Sequence, residues 1–327
     1  MINAAQQERQ ISTSLALVFP GQGSQYLGMM SELSKQFGAV AKRFEEASDV
    51  LKFDLWALVQ DGPEVSLNQT QNTQPALLAA SLATWDIWLE LGGALPALLA
   101  GHSFGEYSAL VCAGGLRYED AIQLVADRGR YMQEAVPVGE GGMAAILGLE
   151  TQVLQEICQS VSSEFGVVEC ANFNAPGQIV VSGKKVAVEA VCELAGSRGA
   201  KRALMLAVSV PAHCELMTPA AERLTERLAE TPFAPPAIKV VHNADVAVHE
   251  SPEEIRTVLR KQLFRPVLWV DTVQFMASSG ISSVCECGPG KVLSALNKRI
   301  DRSLECLALT DVAAIQKAAA DTSRSDG

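Results

Sequence analysis

An α/β fold is predicted by three observations. Two strand–loop–helix units carry glycine-rich turns, residues 143–208 read β-α-β-β-α-β, and a Pro/Gly cluster separates the two regions. The first unit is LALVFPGQGSQYLGMM, whose apolar strand at 15–19 stops at Pro20 and a glycine-rich loop. The helical stretch QPALLAASLATWDIWLELGG follows and ends at a glycine pair, a common helix stop. The second unit runs from the strand at 98–100 into GHSFGEYSAL, so two such loops are expected at the carboxyl edge of one parallel sheet. After the helix YEDAIQLVADRGRYMQEAV, Pro137 and the glycines of PVGEGG mark the boundary.

Beyond it, MAAILGL reads as a strand, TQVLQEICQSVSSEF as a helix, and VVECANF and QIVVSG as strands around the turn NAPG. KKVAVEAVCELAGSRG then reads as a helix and KRALMLAV as a strand. That order is the ferredoxin-like arrangement. Residues 137–207 are therefore expected to form a small inserted domain, with 12–136 and 208–310 forming a large discontinuous one and a cleft between them as the default pocket. ISSVCEC reads as the last strand of the large domain, GPG as a turn, and KVLSALNKRI as a helix. The Ala-, Ser- and Asp-rich tail 311–327 reads as disordered or loosely helical.

Bulk properties exclude several classes of function. The 327 residues are 48% hydrophobic and carry a formal net charge of -11, so nucleic acid and anionic membrane surfaces would repel the chain. No apolar run approaches the roughly 18 residues of a membrane span, and MINAAQQERQIST lacks the pattern of a secretory leader; a cytoplasmic location is expected. The eight cysteines lie in apolar contexts and read as reduced core residues. Cys285 and Cys287 form the one close pair, with no matching ligands nearby, so no metal site is expected. GPGK is not a phosphate-binding loop, because Val292 stands where a Ser/Thr would hold Mg²⁺.

Ser103 lies between Gly101 and Gly105 at a strand-to-helix junction. Such a turn exposes a strained serine at the positive end of a helix dipole, the arrangement of a nucleophile elbow; an ordinary Gly/Ser turn has the same letters. A neutral serine needs a base, and four histidines are available. His102 adjoins the serine but should point away from its hydroxyl, which suits a structural role. His242 and His249 flank the polar segment HNADVAVHE and read as surface residues. His213, after a proline at a helix start, is the candidate base. Attack on an acyl group also needs two oxyanion donors, for which the N–H of Phe104 and that of Gln22 in PGQGSQ are the candidates.

Six blocks, FPGQGSQ, GHSFGEYSALVCAGGL, RGRYMQEAVP, NFNAPGQIVVSG, VSVPAHCELM and ECGPGKVLSALNKR, occur in an order that resembles the malonyl-CoA:acyl carrier protein transacylases of bacterial fatty acid synthesis. That family includes the acyltransferase domains of polyketide synthases. The resemblance spans about 15–309 and implies an α/β-hydrolase-like large domain with a ferredoxin-like small one. It implies that Ser103 is the nucleophile, His213 its base, and the Gln22 and Phe104 amides the oxyanion hole. It further implies that Arg128 binds the substrate carboxylate and that the Gln262 main-chain carbonyl orients His213, so that no Asp completes a triad. Arg128 has a physical case of its own, since a guanidinium facing the cleft clamps a carboxylate through paired hydrogen bonds, and malonyl has one where acetyl does not. Two departures bear on specificity: Phe104 stands where leucine is common, and VPAH differs from the signatures of polyketide domains.

The implied reaction is ping-pong malonyl transfer from malonyl-CoA to the phosphopantetheine thiol of acyl carrier protein, by a monomer with no cofactor. A hydrolase that frees acyl groups is expected to lack the arginine, and a non-catalytic docking subunit to lack the reactive side chains. Lys201, Arg202, Lys291, Lys298 and Arg299 are candidates for a local basic face toward an acidic carrier protein.

Overall fold

The computed structural model describes residues 11–208 and 210–322; residues 1–10, on which most of the leader reading falls, and 323–327 lie outside it. The element order begins with β1 (Ile11–Phe19), α1 (Gly38–Leu51), α2 (Thr70–Glu90), β2 (Leu95–Gly101), α3 (Gly105–Cys112) and α4 (Tyr118–Glu134). Next come β3 (Gly141–Leu147), α5 (Thr151–Phe165), β4 (Val168–Ala175), β5 (Gln178–Lys184), α6 (Lys185–Ser197) and β6 (Arg202–Met205). The chain continues through α7 (Thr218–Glu230), β7 (Lys239–Val241), α8 (Pro252–Gln262), α9 (Trp269–Ser278), β8 (Ser283–Glu286), α10 (Val292–Ile300), β9 (Glu305–Ala308) and α11 (Val312–Thr322).

Two sheets result. The first is parallel, in the order β7-β2-β1-β8-β9, and the second is antiparallel, in the order β4-β5-β3-β6. Helices cover both faces of the parallel sheet, which is why β1 is an unbroken apolar run: Leu15, Leu17 and Phe19 enter one core cluster while Ala16 and Val18 enter another on the opposite face. The second sheet has a core of its own, in which Leu154, Ile157 and Val161 of α5 and Val188 and Val191 of α6 cover Ile146, Ile179 and Val181. Its chain order and strand order are those of the ferredoxin-like arrangement. The two parts are joined where Phe173 N–H donates to the Val267 carbonyl (2.9 Å) and Val267 N–H to that of Ala171 (2.8 Å).

Three expectations are corrected. ISSVCEC does not supply the final strand, because β9 adds to the edge of the parallel sheet beside β8. Residues 312–322 form α11, and Ile315, Ala318 and Ala319 are buried in the main core. Small alanines let a helix pack closely, so a tail that reads as disordered or loosely helical is here a docked helix. His242 is fully buried, not on the surface, because the segment after β7 turns inward against α3.

Candidate active site

Ser103 sits at the carboxyl edge of the parallel sheet, between β2 and the start of α3, with φ 53°. The glycines flanking it are required by packing. A Cβ on Gly101 would lie 1.9 Å from the Gly105 carbonyl carbon, and one on Gly105 would lie 2.5 Å from the Phe19 oxygen. His213 also has positive φ (62°). Left-handed backbone at two non-glycine residues persists only where the surroundings over-determine it. At His213 they do: its N–H donates to the Leu263 carbonyl (2.9 Å), and its Nδ1 lies 2.7 Å from the Gln262 carbonyl oxygen.

That last bond assigns the tautomer. A carbonyl only accepts, so Nδ1 carries the proton, and Nε2 accepts from the Ser103 hydroxyl at 2.7 Å. Burial, and then the neighbouring Arg128 cation, lower the His213 pKa from 6.5 to about 3. The imidazole is therefore neutral and competent as a base across the physiological range.

Arg128, on α4, is fully buried. Its Nη2 donates to Gln262 Oε1 (3.0 Å) and to Ser103 Oγ (3.3 Å), and its Nη1 to Met132 Sδ (3.2 Å). The guanidinium carbon lies 5.8 Å from the Tyr107 ring centroid, and Nε has no partner among the described residues. Burial pulls the Arg128 pKa down, but guanidinium remains protonated at neutral pH. A buried cation held by an amide, a thioether and a hydroxyl, with no carboxylate paired to it among the described residues, has donors suited to an anion.

The oxyanion candidates are arranged consistently. His102, Ser103 and Gly105 donate their N–H groups to Phe19 O, Asn243 Oδ1 and His102 O. Among the described residues the N–H groups of Phe104 and Gln22 have no acceptor. The Gln22 loop abuts the elbow, since a Cβ on Gly21 would lie 2.9 Å from the His102 oxygen. His102 points away from the hydroxyl, with Nε2 2.8 Å from Asn174 Oδ1. A cavity of about 940 Å³ opens between the 65–71 segment and Gly141, Gly142 and Met205 of the second sheet with residues 206–208 after it. Its Gln71 abuts Gly129, next to Arg128.

Three residues escaped the sequence reading. Glu106, His242 and Asn243 are all fully buried. Asn243 N–H donates to Glu106 Oε1 (2.6 Å), and His242 Nδ1 lies 2.9 Å from Glu106 Oε2. The Gln262 side chain was missed as well: Nε2 donates to the Ser103 carbonyl (2.9 Å) while Oε1 accepts from Arg128. Glu106, an acidic residue inside the apolar start of α3, was the available signal for the first group. Among the described residues no cluster of His, Cys, Asp and Glu is suited to a metal ion, and no helix is long and apolar enough to cross a membrane.

Residues 16–326 match the acyl transferase domain family. Similar proteins include the malonyl CoA-acyl carrier protein transacylase of Salmonella typhimurium, 50% identical over 306 residues that span 94% of this chain and 99% of that protein. The Bacillus subtilis protein of the same description is 43% identical over 94% of this chain and 96% of its own. Among solved structures, the malonyl CoA-acyl carrier protein transacylase of Coxiella burnetii superposes with TM-score 0.92 at 50% identity, covering 95% of this chain and 98% of that one. A malonyl-transacylase solved with its type II polyketide synthase acyl-carrier protein gives 0.93 at 51% identity, covering 94% and 99%.

Proposed function

The chain belongs to the acyl transferase domain family, and from that premise we propose that it moves a malonyl group from malonyl-CoA to the phosphopantetheine thiol of an acyl carrier protein, for fatty acid or polyketide synthesis. The transfer is ping-pong. The Ser103 hydroxyl gives its proton to His213 Nε2 as Oγ attacks the thioester carbon, and the oxyanion is received by the N–H groups of Gln22 and Phe104. Collapse breaks the C–S bond, and the coenzyme A thiolate takes the proton from Nε2. In the second half, the carrier thiol gives its proton to Nε2 and attacks the malonyl ester, and Ser103 recovers its hydroxyl proton. Every proton and electron pair comes from the protein or its two substrates, so the scheme uses no resident cofactor.

The Gln262 carbonyl does the orienting that an aspartate does in a triad, holding Nδ1–H without adding negative charge beside the substrate carboxylate. Arg128 receives that carboxylate. The observation that carries the reading is the convergence of a buried guanidinium, with no carboxylate paired to it among the described residues, and a neutral imidazole on one serine oxygen, at 3.3 and 2.7 Å. Specificity for a dicarboxylic acyl group favours a transferase over a general acyl hydrolase.

The test is acylation by labelled malonyl-CoA read by mass spectrometry. One malonyl group should appear on the peptide containing Ser103 and leave on addition of holo-carrier protein. Ser103→Ala should form no adduct while melting like the parent, and an adduct on that variant would remove Ser103 from the scheme.

A further inference from the structure

Ser103 must be held in a conformation its backbone disfavours, and the group that holds its N–H comes from 140 residues away. Asn243 follows β7, the strand paired with β2 through Ala100 and Val241, and its Oδ1 accepts from Ser103 N–H at 2.7 Å. The asparagine is itself fixed. Its own N–H is taken by Glu106 Oε1 (2.6 Å), its carbonyl accepts from Leu268 N–H (3.2 Å), and the second Glu106 oxygen is engaged by His242 Nδ1 (2.9 Å). The carboxylate belongs to the first turn of α3, the helix the elbow opens, so the brace closes a loop through the elbow, α3 and β7.

We propose that Asn243 is a positioning residue for the nucleophile, with Glu106 as its anchor. This rests on the acyl-serine reading above. Left-handed backbone is disfavoured for a serine, which relaxes unless it is tied down. Gln262 Nε2 ties the Ser103 carbonyl and Asn243 Oδ1 its N–H, so the peptide is gripped at both polar groups and Oγ is aimed at His213. Taking up the Ser103 N–H also leaves the Phe104 N–H, one residue on, as the elbow's free donor. Asn243 Nδ2 has no partner among the described residues, so the side chain's hydrogen bonding there is that of an acceptor.

The experiment compares the parent with Asn243→Ala in single-turnover acylation by labelled malonyl-CoA and acetyl-CoA, and in inactivation by phenylmethylsulfonyl fluoride, which has neither coenzyme nor carboxylate. The variant should acylate about 10- to 100-fold more slowly, the size of effect expected when a reacting atom moves by about 1 Å. Sulfonylation should fall in parallel, while the malonyl-to-acetyl ratio and KM for malonyl-CoA stay at parent values. Should Asn243→Ala prove unfolded by thermal melting, Asn243→Ser reads the same rate, since its shorter hydroxyl satisfies the pocket but lies out of reach of Ser103. A folded variant with the parent acylation rate overturns the proposal, as does a loss confined to KM or to malonyl-CoA. A parent that formed no malonyl adduct would instead sink the functional reading itself.

Discussion

At the residue scale, the chemistry turns on two opposite burials. His213 loses its charge to burial, which suits the base proposed above, whereas Arg128 keeps its charge, which suits the proposed receptor. With the His213 pKa at about 3, the acid limb of kcat/KM should lie well below 6.5, the ordinary histidine value. Because Arg128 is the second cause of that depression, Arg128→Ala should move the limb upward when acetyl-CoA is the donor; an unmoved limb would mean that the cation does not act on the imidazole. The same variant should lower the malonyl-to-acetyl ratio, since only malonyl carries a carboxylate whose charge-assisted pair, worth about 1.5–3 kcal/mol, is lost. Equal losses for both would make Arg128 a structural residue. The linkage to stability has a definite sign. The folded pKa is below the unfolded one, so the contribution of neutral His213 is present above pH 6.5 and is lost as pH falls from there toward 3.

At the element scale, the site depends on helices that approach too closely for side chains. A Cβ on Gly129 would lie 2.6 Å from Gln71 Cα and from Thr70 O, so α4 rests against the start of α2 one residue after Arg128. Gly129→Ala should force that contact open, destabilise the fold by about 1–3 kcal/mol and slow malonyl transfer more than acetyl transfer. Parent behaviour in both assays would mean that the helices yield freely. The terminal helix α11 is the other informative element. Ile315 is fully buried in the main core, so Ile315→Ala should cost about 2–5 kcal/mol in urea unfolding. A cost near zero would mean that α11 contributes nothing to the core.

At the scale of the whole molecule, a chain of net charge -11 must meet an acidic carrier protein. Arg202 on β6 pairs with Leu147, Leu147 with Gln178, and Gln178 Oε1 accepts from Arg299 on α10. Lys201 lies over Gly148 beside them. Exposed cations from both parts of the molecule thus gather at one end of the second sheet. Reversing Lys201 and Arg299 to glutamate should raise KM for the carrier protein and flatten its salt dependence, leaving self-acylation from malonyl-CoA unchanged. Carrier kinetics indifferent to both changes would exclude this end as the docking face.

The α/β class, the βαββαβ order of the second sheet and the Ser103 elbow were legible because each is a local pattern: apolar runs, turn glycines and helical periods within about twenty residues. The parallel neighbours β7 and β9 were not, since short edge strands carry little periodicity and gain their identity from the strand beside them. The choice of base shows the same division. Local context and the family resemblance nominated His213 among four histidines, but the 2.7 Å contacts on its two ring nitrogens exist only once the fold brings Ser103 to one side and Gln262 to the other. Asn243 and Glu106 lay wholly beyond the sequence, 137 residues apart, because a buried polar residue reads like an exposed one until its partner is known. What the sequence determined by itself was which residues are chemically able to react. The tertiary structure alone decided which of them meet, and through burial set the charge each one carries.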